Sequence, residues 1–188
     1  MPLRYSVASE RDELRKGLLQ EQHGFCAYSE EFVKQSDSCN IEHFYPKTEN
    51  PSKEDDYMNL YATRSWLDEH KPKKIAPYLP ILNPSSTDLH DRIDYEAGIF
   101  KCVKEGDVEA QHLIDFLGFN KYEVSLDRRN HISRIRQVIA LNEEWKTDKS
   151  SFWEFLKAHK FWLSYATALE KELGIPAMKL ILEIDNAA

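Results

Sequence analysis

The stretch Ile41-Glu42-His43-Phe44-Tyr45-Pro46-Lys47 decides how we expect the first half of this 188-residue chain to fold. It overlaps a short segment, Cys39–Phe44, which predicts a β-strand that stops at a polar loop over 46–56. Neighbouring residues on a strand point to opposite faces. Glu42 and His43 are therefore expected to leave the strand end on opposite sides, where they can perform different roles.

Outward from this stretch, the flanking segments predict short elements of both kinds. Residues Glu10–Gln22 carry leucines at helical spacing and predict an amphipathic helix, whereas Phe25–Tyr28 predicts a short strand. Order resumes at residue 57, and the segment that follows predicts a short helix ending before Pro72. Residues 94–103 predict a β-hairpin with Gly98 in its turn.

Beyond Asp107 the hydrophobic pattern becomes helical. The predicted helices are Val108–Phe116, Leu126–Trp145, Ser151–Leu173 and Ala177–Ile184. The sequence therefore predicts an α+β protein in two parts, an N-terminal unit over 1–106 and a largely helical C-terminal extension over 107–188.

Composition and charge limit the possible functions. Hydrophobic residues make up 41% of the chain, which is enough for a packed core. No apolar run is long enough to span a membrane, and the first residues lack the pattern of a signal peptide, so we expect a cytoplasmic protein without a membrane partner. The net charge is −7. A nucleic-acid ligand would therefore require locally concentrated basic residues, a basic partner subunit or a divalent metal.

The residue types around His43 point to metal-assisted hydrolysis. A carboxylate directly before a histidine can bind a metal while the imidazole takes a proton from water. Asn59, sixteen residues after His43, can hold the intervening loop by amide hydrogen bonds. A polar residue on the next helix, either Asp68 or His70, can complete the metal shell. This order is typical of a ββα-metal nuclease site.

The sequence also resembles a known family, the HNH endonucleases, and in particular the PtuB-type nucleases of Septu and retron antiphage defence systems. The segments that carry this resemblance are Glu21–Tyr28, Glu42–Lys47, Asn59–Leu60, Pro80–Pro84 and Tyr95–Gly98, and more weakly Leu117–Asn120 and Leu126–Arg129. The resemblance implies a small ββα-metal core, cleavage of DNA or RNA phosphodiester bonds, and an ATPase partner subunit of the PtuA type.

Roles for single residues follow from the resemblance. It implies that His43 is the general base, that Asn59 orients the loop, and that Glu42 binds Mg²⁺ or Mn²⁺ together with Asp68 or His70. The family has two Cys-x-x-Cys pairs, of which only Cys26 is present in this chain. We therefore expect no structural zinc.

Several basic residues are candidates for contacts with phosphate. They are Lys47, Lys71, Lys73, Lys74, Arg128 and Arg129. A charged surface that only meets water is the alternative interpretation of these clusters.

Two other interpretations remain open at this stage. The missing zinc cysteines are compatible with a decayed nuclease that now serves as an adaptor for an ATPase. The aromatic residues over 145–165 predict either helical core or a docking face for that partner. Convergence of Glu42 or His43 with the downstream ligand within about 5–7 Å would favour the nuclease, since such metal–ligand bonds are short.

Overall fold

The computed structural model describes residues 3–187. Its strands are β1 (Cys39–His43), β2 (Leu60–Arg64), β3 (Ile93–Glu96) and β4 (Ile99–Cys102). Its helices are α1 (Arg11–Glu21), α2 (Ser65–His70), α3 (Leu89–Arg92), α4 (Val108–Leu117), α5 (Tyr122–Leu141), α6 (Glu143–Thr147), α7 (Lys149–Ala158), α8 (Ala166–Leu173) and α9 (Ala177–Ala187). About 54% of the chain is helical and 11% is strand, in two small antiparallel sheets, so the protein belongs to the α+β class.

The first sheet is the hairpin of β1 and β2, in which His43 pairs with Leu60 and Glu42 with Tyr61. Leucines of α1 and apolar residues of β2, among them Leu60, pack together on one side of this hairpin. On the other side, Phe44 joins Leu67 of α2 and Phe116 of α4 in a second cluster. The hairpin therefore lies between two layers of helix, and its end carries the predicted site.

The predicted strand over Phe25–Tyr28 is wrong in extent, because only an isolated bridge between Phe25 and Phe32 forms there. His23, Gly24 and Glu30 have positive φ angles on either side of this run, so the chain curls back on itself and does not extend.

The segment after residue 57 also differs from the prediction. It forms β2 before α2, since the antiparallel partner β1 holds residues 60–64 in an extended conformation.

Other local predictions are confirmed. Helix α1 lies within the predicted Glu10–Gln22, and α2 ends before Pro72. The second hairpin turns at Gly98, whose φ of 93° is in the region that favours glycine.

The C-terminal half is helical, but the longest predicted helix is interrupted. Between α7 and α8 the backbone leaves the helical path, and Tyr165 has a φ of 61°. Hydrogen bonds to distant segments account for the break, because the Tyr165 N–H donates to the Glu30 carbonyl and the Phe32 N–H donates to the Ser164 hydroxyl. Asn142 likewise ends the preceding helix and caps α6 by accepting from the Trp145 N–H.

The cores draw residues from both halves of the sequence. Phe25 and Tyr95 pack among side chains from the last helices, such as Leu156 and Leu169. The residues on either side of the predicted boundary at 106/107 therefore share their packing. No helix among residues 3–187 is long and apolar enough to cross a membrane.

The core cluster that α4 shares with Phe44 and Leu67 predicts a strong difference between two substitutions on this helix. Leu113 is fully buried, whereas Val108 is 52% exposed. We expect Leu113→Ala to lower the free energy of unfolding by about 2–5 kcal/mol, because it leaves a cavity in the core. Val108→Ala serves as the control and should stay within about 0.5 kcal/mol of wild type in urea unfolding. Equal effects of the two substitutions would contradict the shared core.

Candidate active site

His43 ends β1, and its side chain is 8% exposed. Its Nε2 lies 3.0 Å from the main-chain carbonyl of Glu54. A carbonyl oxygen only accepts, so Nε2 carries the proton and Nδ1 is left as the acceptor. Burial lowers the pKa of His43, although the Glu54 carbonyl acts in the opposite direction. The geometry therefore provides a neutral imidazole whose lone pair is on Nδ1.

An N-terminal strap, defined as residues 3–7, covers this histidine. The ring of Tyr5 meets the His43 ring edge-on, with centroids 4.4 Å apart. Ser6 holds the strap to Asp55 through its N–H and its hydroxyl, at 2.7 and 2.6 Å. Arg11 adds a hydrogen bond from Nε to the Tyr5 carbonyl. The contacts of the strap with His43 and Asp55 could not be predicted from the sequence, because they join distant segments, 49 residues apart in the case of Ser6 and Asp55, and have no local pattern.

Asn59 fixes the loop that supplies the Glu54 carbonyl. The side chain is 2% exposed. Its Oδ1 accepts from the Tyr45 N–H at 2.7 Å, and its Nδ2 donates to the carbonyls of Tyr45 and Lys53 at 3.1 Å each. These hydrogen bonds span both ends of the loop, so Asn59 lies where it can hold the loop against the end of β1.

Glu42 points to the other side of the strand and is almost completely enclosed. One carboxylate oxygen accepts from the Tyr28 hydroxyl at 2.5 Å, and the other forms an ion pair with Lys71. Burial raises the pKa of Glu42, while Lys71 and Tyr28 stabilise its charged form. Tyr28 was not among the predicted site residues, since nothing in its local sequence distinguishes it from an ordinary core tyrosine.

The two alternative metal ligands on α2 lie in different surroundings. The Asp68 carboxylate accepts from the Asn40 side-chain amide at 2.9 Å and is half-buried. His70 is exposed, stacks on Trp66 with ring centroids 4.3 Å apart, and directs Nδ1 to the Trp66 carbonyl. The charge of Asp68 raises the pKa values of both Glu42 and Lys71.

The predicted ligands do not fit a divalent metal as they lie. Glu42 is engaged by an ammonium group and a phenol, Asp68 by an amide, and His70 by its own helix. Within the part of the chain that the structure describes, no group of three or more His, Cys, Asp or Glu side chains is arranged to hold a metal ion. Cys26, Cys39 and Cys102 are free thiols.

The prediction that Arg128 contacts phosphate is wrong. Its side chain is 1% exposed, lies 4.6 Å from the Phe100 ring centre, and donates to the carbonyls of Gly98 and Phe119. A guanidinium in this position is not accessible to a nucleic acid. The next residue, Arg129, is exposed.

The lysines predicted to contact phosphate fall into a buried group and an exposed group. Lys71 is buried against Glu42, so it too is enclosed and not exposed to a ligand. Lys47, Lys73 and Lys74 are exposed. Lys47 pairs with Glu54 at 3.3 Å, and Lys73 donates to the Asp68 carbonyl at 2.9 Å. Three of the predicted phosphate contacts are thus exposed, and of these Lys47 lies beside the loop at Glu54 and Lys73 lies beside α2.

No protein-family model matches the chain, and no curated protein matches it. The roles assigned to the site residues therefore depend on the geometry and on the sequence motif.

The different surroundings of Arg128 and Arg129 predict different effects of the same substitution. Arg128→Met leaves the Gly98 and Phe119 carbonyls without a donor and should lower the free energy of unfolding by about 1–3 kcal/mol. Arg129→Met, at an exposed neighbour, should change it by less than about 0.5 kcal/mol. Thermal or urea unfolding measures both. An unchanged stability of Arg128→Met would show that Arg128 is not structural.

The buried ion pair predicts strong coupling between Glu42 and Lys71. Glu42→Gln or Lys71→Met alone leaves a buried charge without its partner and should cost about 3–5 kcal/mol of unfolding free energy. The double variant should be less destabilised than the sum of the single variants by about 1–3 kcal/mol. A double-mutant cycle in urea measures this coupling, and additive effects would contradict the pair.

Proposed function

We propose that this chain is a nucleic-acid phosphodiesterase of the ββα (HNH) type in which His43 is the general base. The observation that carries the proposal is the hydrogen bond from His43 Nε2 to the Glu54 carbonyl, because it leaves Nδ1 as a proton acceptor at a strand end. The order of β1, loop, β2 and α2, together with Asn59 across the loop, is compatible with such a core.

The proposed reaction is hydrolysis of one phosphodiester bond. Nδ1 of His43 accepts a proton from a water molecule, and the oxygen of that water forms a bond to phosphorus. The bond from phosphorus to the leaving sugar oxygen breaks, and that oxygen takes a proton from solvent. Asn59 contributes by holding the loop carbonyl that fixes the imidazole. Lys47, Lys73, Lys74 and Arg129 are the proposed contacts with neighbouring phosphates.

A dependence on Mg²⁺ or Mn²⁺ stays a prediction from the sequence motif. We assign no step to a metal, because the carboxylate predicted to hold it is already neutralised by Lys71. The cleavage assay described below includes both ions for this reason.

The proposed partner is an ATPase subunit of the PtuA type in an antiphage defence system. The acidic net charge of −7 supports a partner, since an isolated chain of this charge is repelled by nucleic acid. Most of the aromatic side chains predicted as a docking face, including Trp145, Trp153 and Phe155, pack against the helical core. The proposed docking surface is therefore limited to exposed apolar residues of this half, such as Leu141 at 86% and Phe161 at 37%.

An adaptor without catalytic activity is the second candidate function. The observation that favours it is the enclosure of both motif residues, with His43 beneath Tyr5 and Glu42 sealed by Lys71 and Tyr28. A competent nuclease would have to admit water and a phosphate to the His43 imidazole, whose ring Tyr5 of the N-terminal strap contacts.

A cleavage assay separates the two functions. With the partner subunit present, we expect the wild-type chain to cut duplex DNA, single-stranded DNA or RNA, and we expect His43→Ala to lower the rate by about 10²–10⁴, the usual effect of removing a general base. Each substrate is tested with Mg²⁺, with Mn²⁺ and with chelator.

His90→Ala is the matched control, because this exposed histidine lies on α3, outside the proposed site. It should cleave at the wild-type rate. Full activity of a folded His43→Ala chain would reject the mechanism, and no cleavage by wild type with its partner subunit present would favour the adaptor.

A further inference from the structure

The ammonium group of Lys71 forms all of its hydrogen bonds with other groups of the protein. The side chain is 6% exposed, follows directly after α2, and forms an ion pair with Glu42. Its Nζ also donates to the main-chain carbonyls of His43 at 2.7 Å and Phe44 at 3.3 Å. An ammonium group has three protons. All three therefore have acceptors, and none is left for a substrate.

The ammonium lies between the elements that were predicted to enclose a metal. Glu42 comes from β1, Asp68 comes from α2, and the charges of both act on Lys71. The Phe116 ring closes the far side, with its centre 4.6 Å from Nζ. The Lys71 ammonium, with its single positive charge, thus already occupies the junction between the β1–β2 hairpin and α2.

We infer that the Lys71 ammonium occupies the position where a metal ion was predicted to bind, and that it prevents a divalent metal from binding to Glu42. Lys71 also positions the main chain that carries His43. This inference rests on the proposed function only for the role of His43. Lys71 is then a positioning residue, because its contacts reach the carbonyl of His43 and not the imidazole or a substrate.

The charges at the junction support this assignment. A carboxylate removed from water needs a cation and hydrogen bonds, and Lys71 and Tyr28 supply them to Glu42 without an external ion. A divalent ion on Glu42 would lie against the Lys71 ammonium, and repulsion between cations in contact is large in a poorly hydrated site. Metal binding would thus require Lys71 to leave three acceptors and a ring face.

Mn²⁺ binding tests the inference directly. We expect no Glu42-dependent Mn²⁺ binding to wild type, measured by calorimetry and by the electron paramagnetic resonance of free Mn²⁺. Lys71→Ala removes the ammonium and opens space, so it should tighten Mn²⁺ binding by at least about a thousandfold, the fold-change for one pair of unit charges about 4 Å apart at an effective dielectric near 20. Glu42→Gln added to Lys71→Ala should abolish the new binding.

Lys149→Ala is the matched control, because Lys149 is an exposed lysine on α7, outside this junction and outside the proposed site. It should bind Mn²⁺ as wild type does. Mn²⁺ binding to wild type that Glu42→Gln removes would overturn the inference. Failure of folded Lys71→Ala to gain such binding would overturn it as well.

A second measurement uses the wild-type chain and does not depend on the folding of a variant. The ammonium protons of Lys71 should give a slowly exchanging signal in ¹H–¹⁵N spectra of ¹⁵N-lysine-labelled protein, because they are buried and fully bonded. We expect millimolar Mg²⁺ to leave that signal unchanged. Its loss or a large shift with Mg²⁺ would show displacement and reject the inference.

Neither readout requires cleavage. If wild type cuts nucleic acid and Glu42 binds Mn²⁺, the inference fails while the proposed function stands. If Lys71 behaves as inferred and no substrate is cut, the proposed function fails instead.

Discussion

The ion pair between Glu42 and Lys71 connects two short elements, the strand β1 and the helix α2. It joins the end of β1 to the end of α2, and through the carbonyls of His43 and Phe44 it fixes the backbone at the strand end. Burial of two charges is costly in free energy, and the cost is offset only when every lone pair and proton has a partner. Tyr28 and Phe116 complete that shell from two other segments. The β1–β2 hairpin has strands of only five residues, and these contacts fix the backbone conformation at its end.

Two features of the candidate site could be predicted from the sequence. The alternation of side chains along a strand was enough to separate Glu42 from His43, and the two do have different surroundings. An amide at position 59 was expected to hold the loop, and its hydrogen bonds run across that loop. The partner of Glu42 could not be predicted, because Lys71 occurs in a run of basic residues and nothing local distinguishes a buried lysine from an exposed one. The same reason explains why Arg128 was grouped with its exposed neighbour.

The fold was predictable where a local pattern determines it. Amphipathic spacing fixed α1, and glycine in the turn fixed the second hairpin. Prediction failed where distant segments compete for the backbone. Residues 159–165 carry a helical pattern, yet hydrogen bonds to Glu30 and Phe32 draw them out of the helix. The strand over 60–64 likewise depends on its pairing with β1, which no window of sequence contains.

The packing of Phe25 and Tyr95 among the last helices has a consequence for how the chain is made. Both rings belong to a cluster completed by residues such as Ile175 and Leu180. A ribosome adds about 5–20 residues per second. Several seconds therefore pass after Tyr95 is synthesised before the residues that cover it exist. Phe25 and Tyr95 both lie in the N-terminal half, so a nascent or prematurely terminated chain lacks the packing that completes this half.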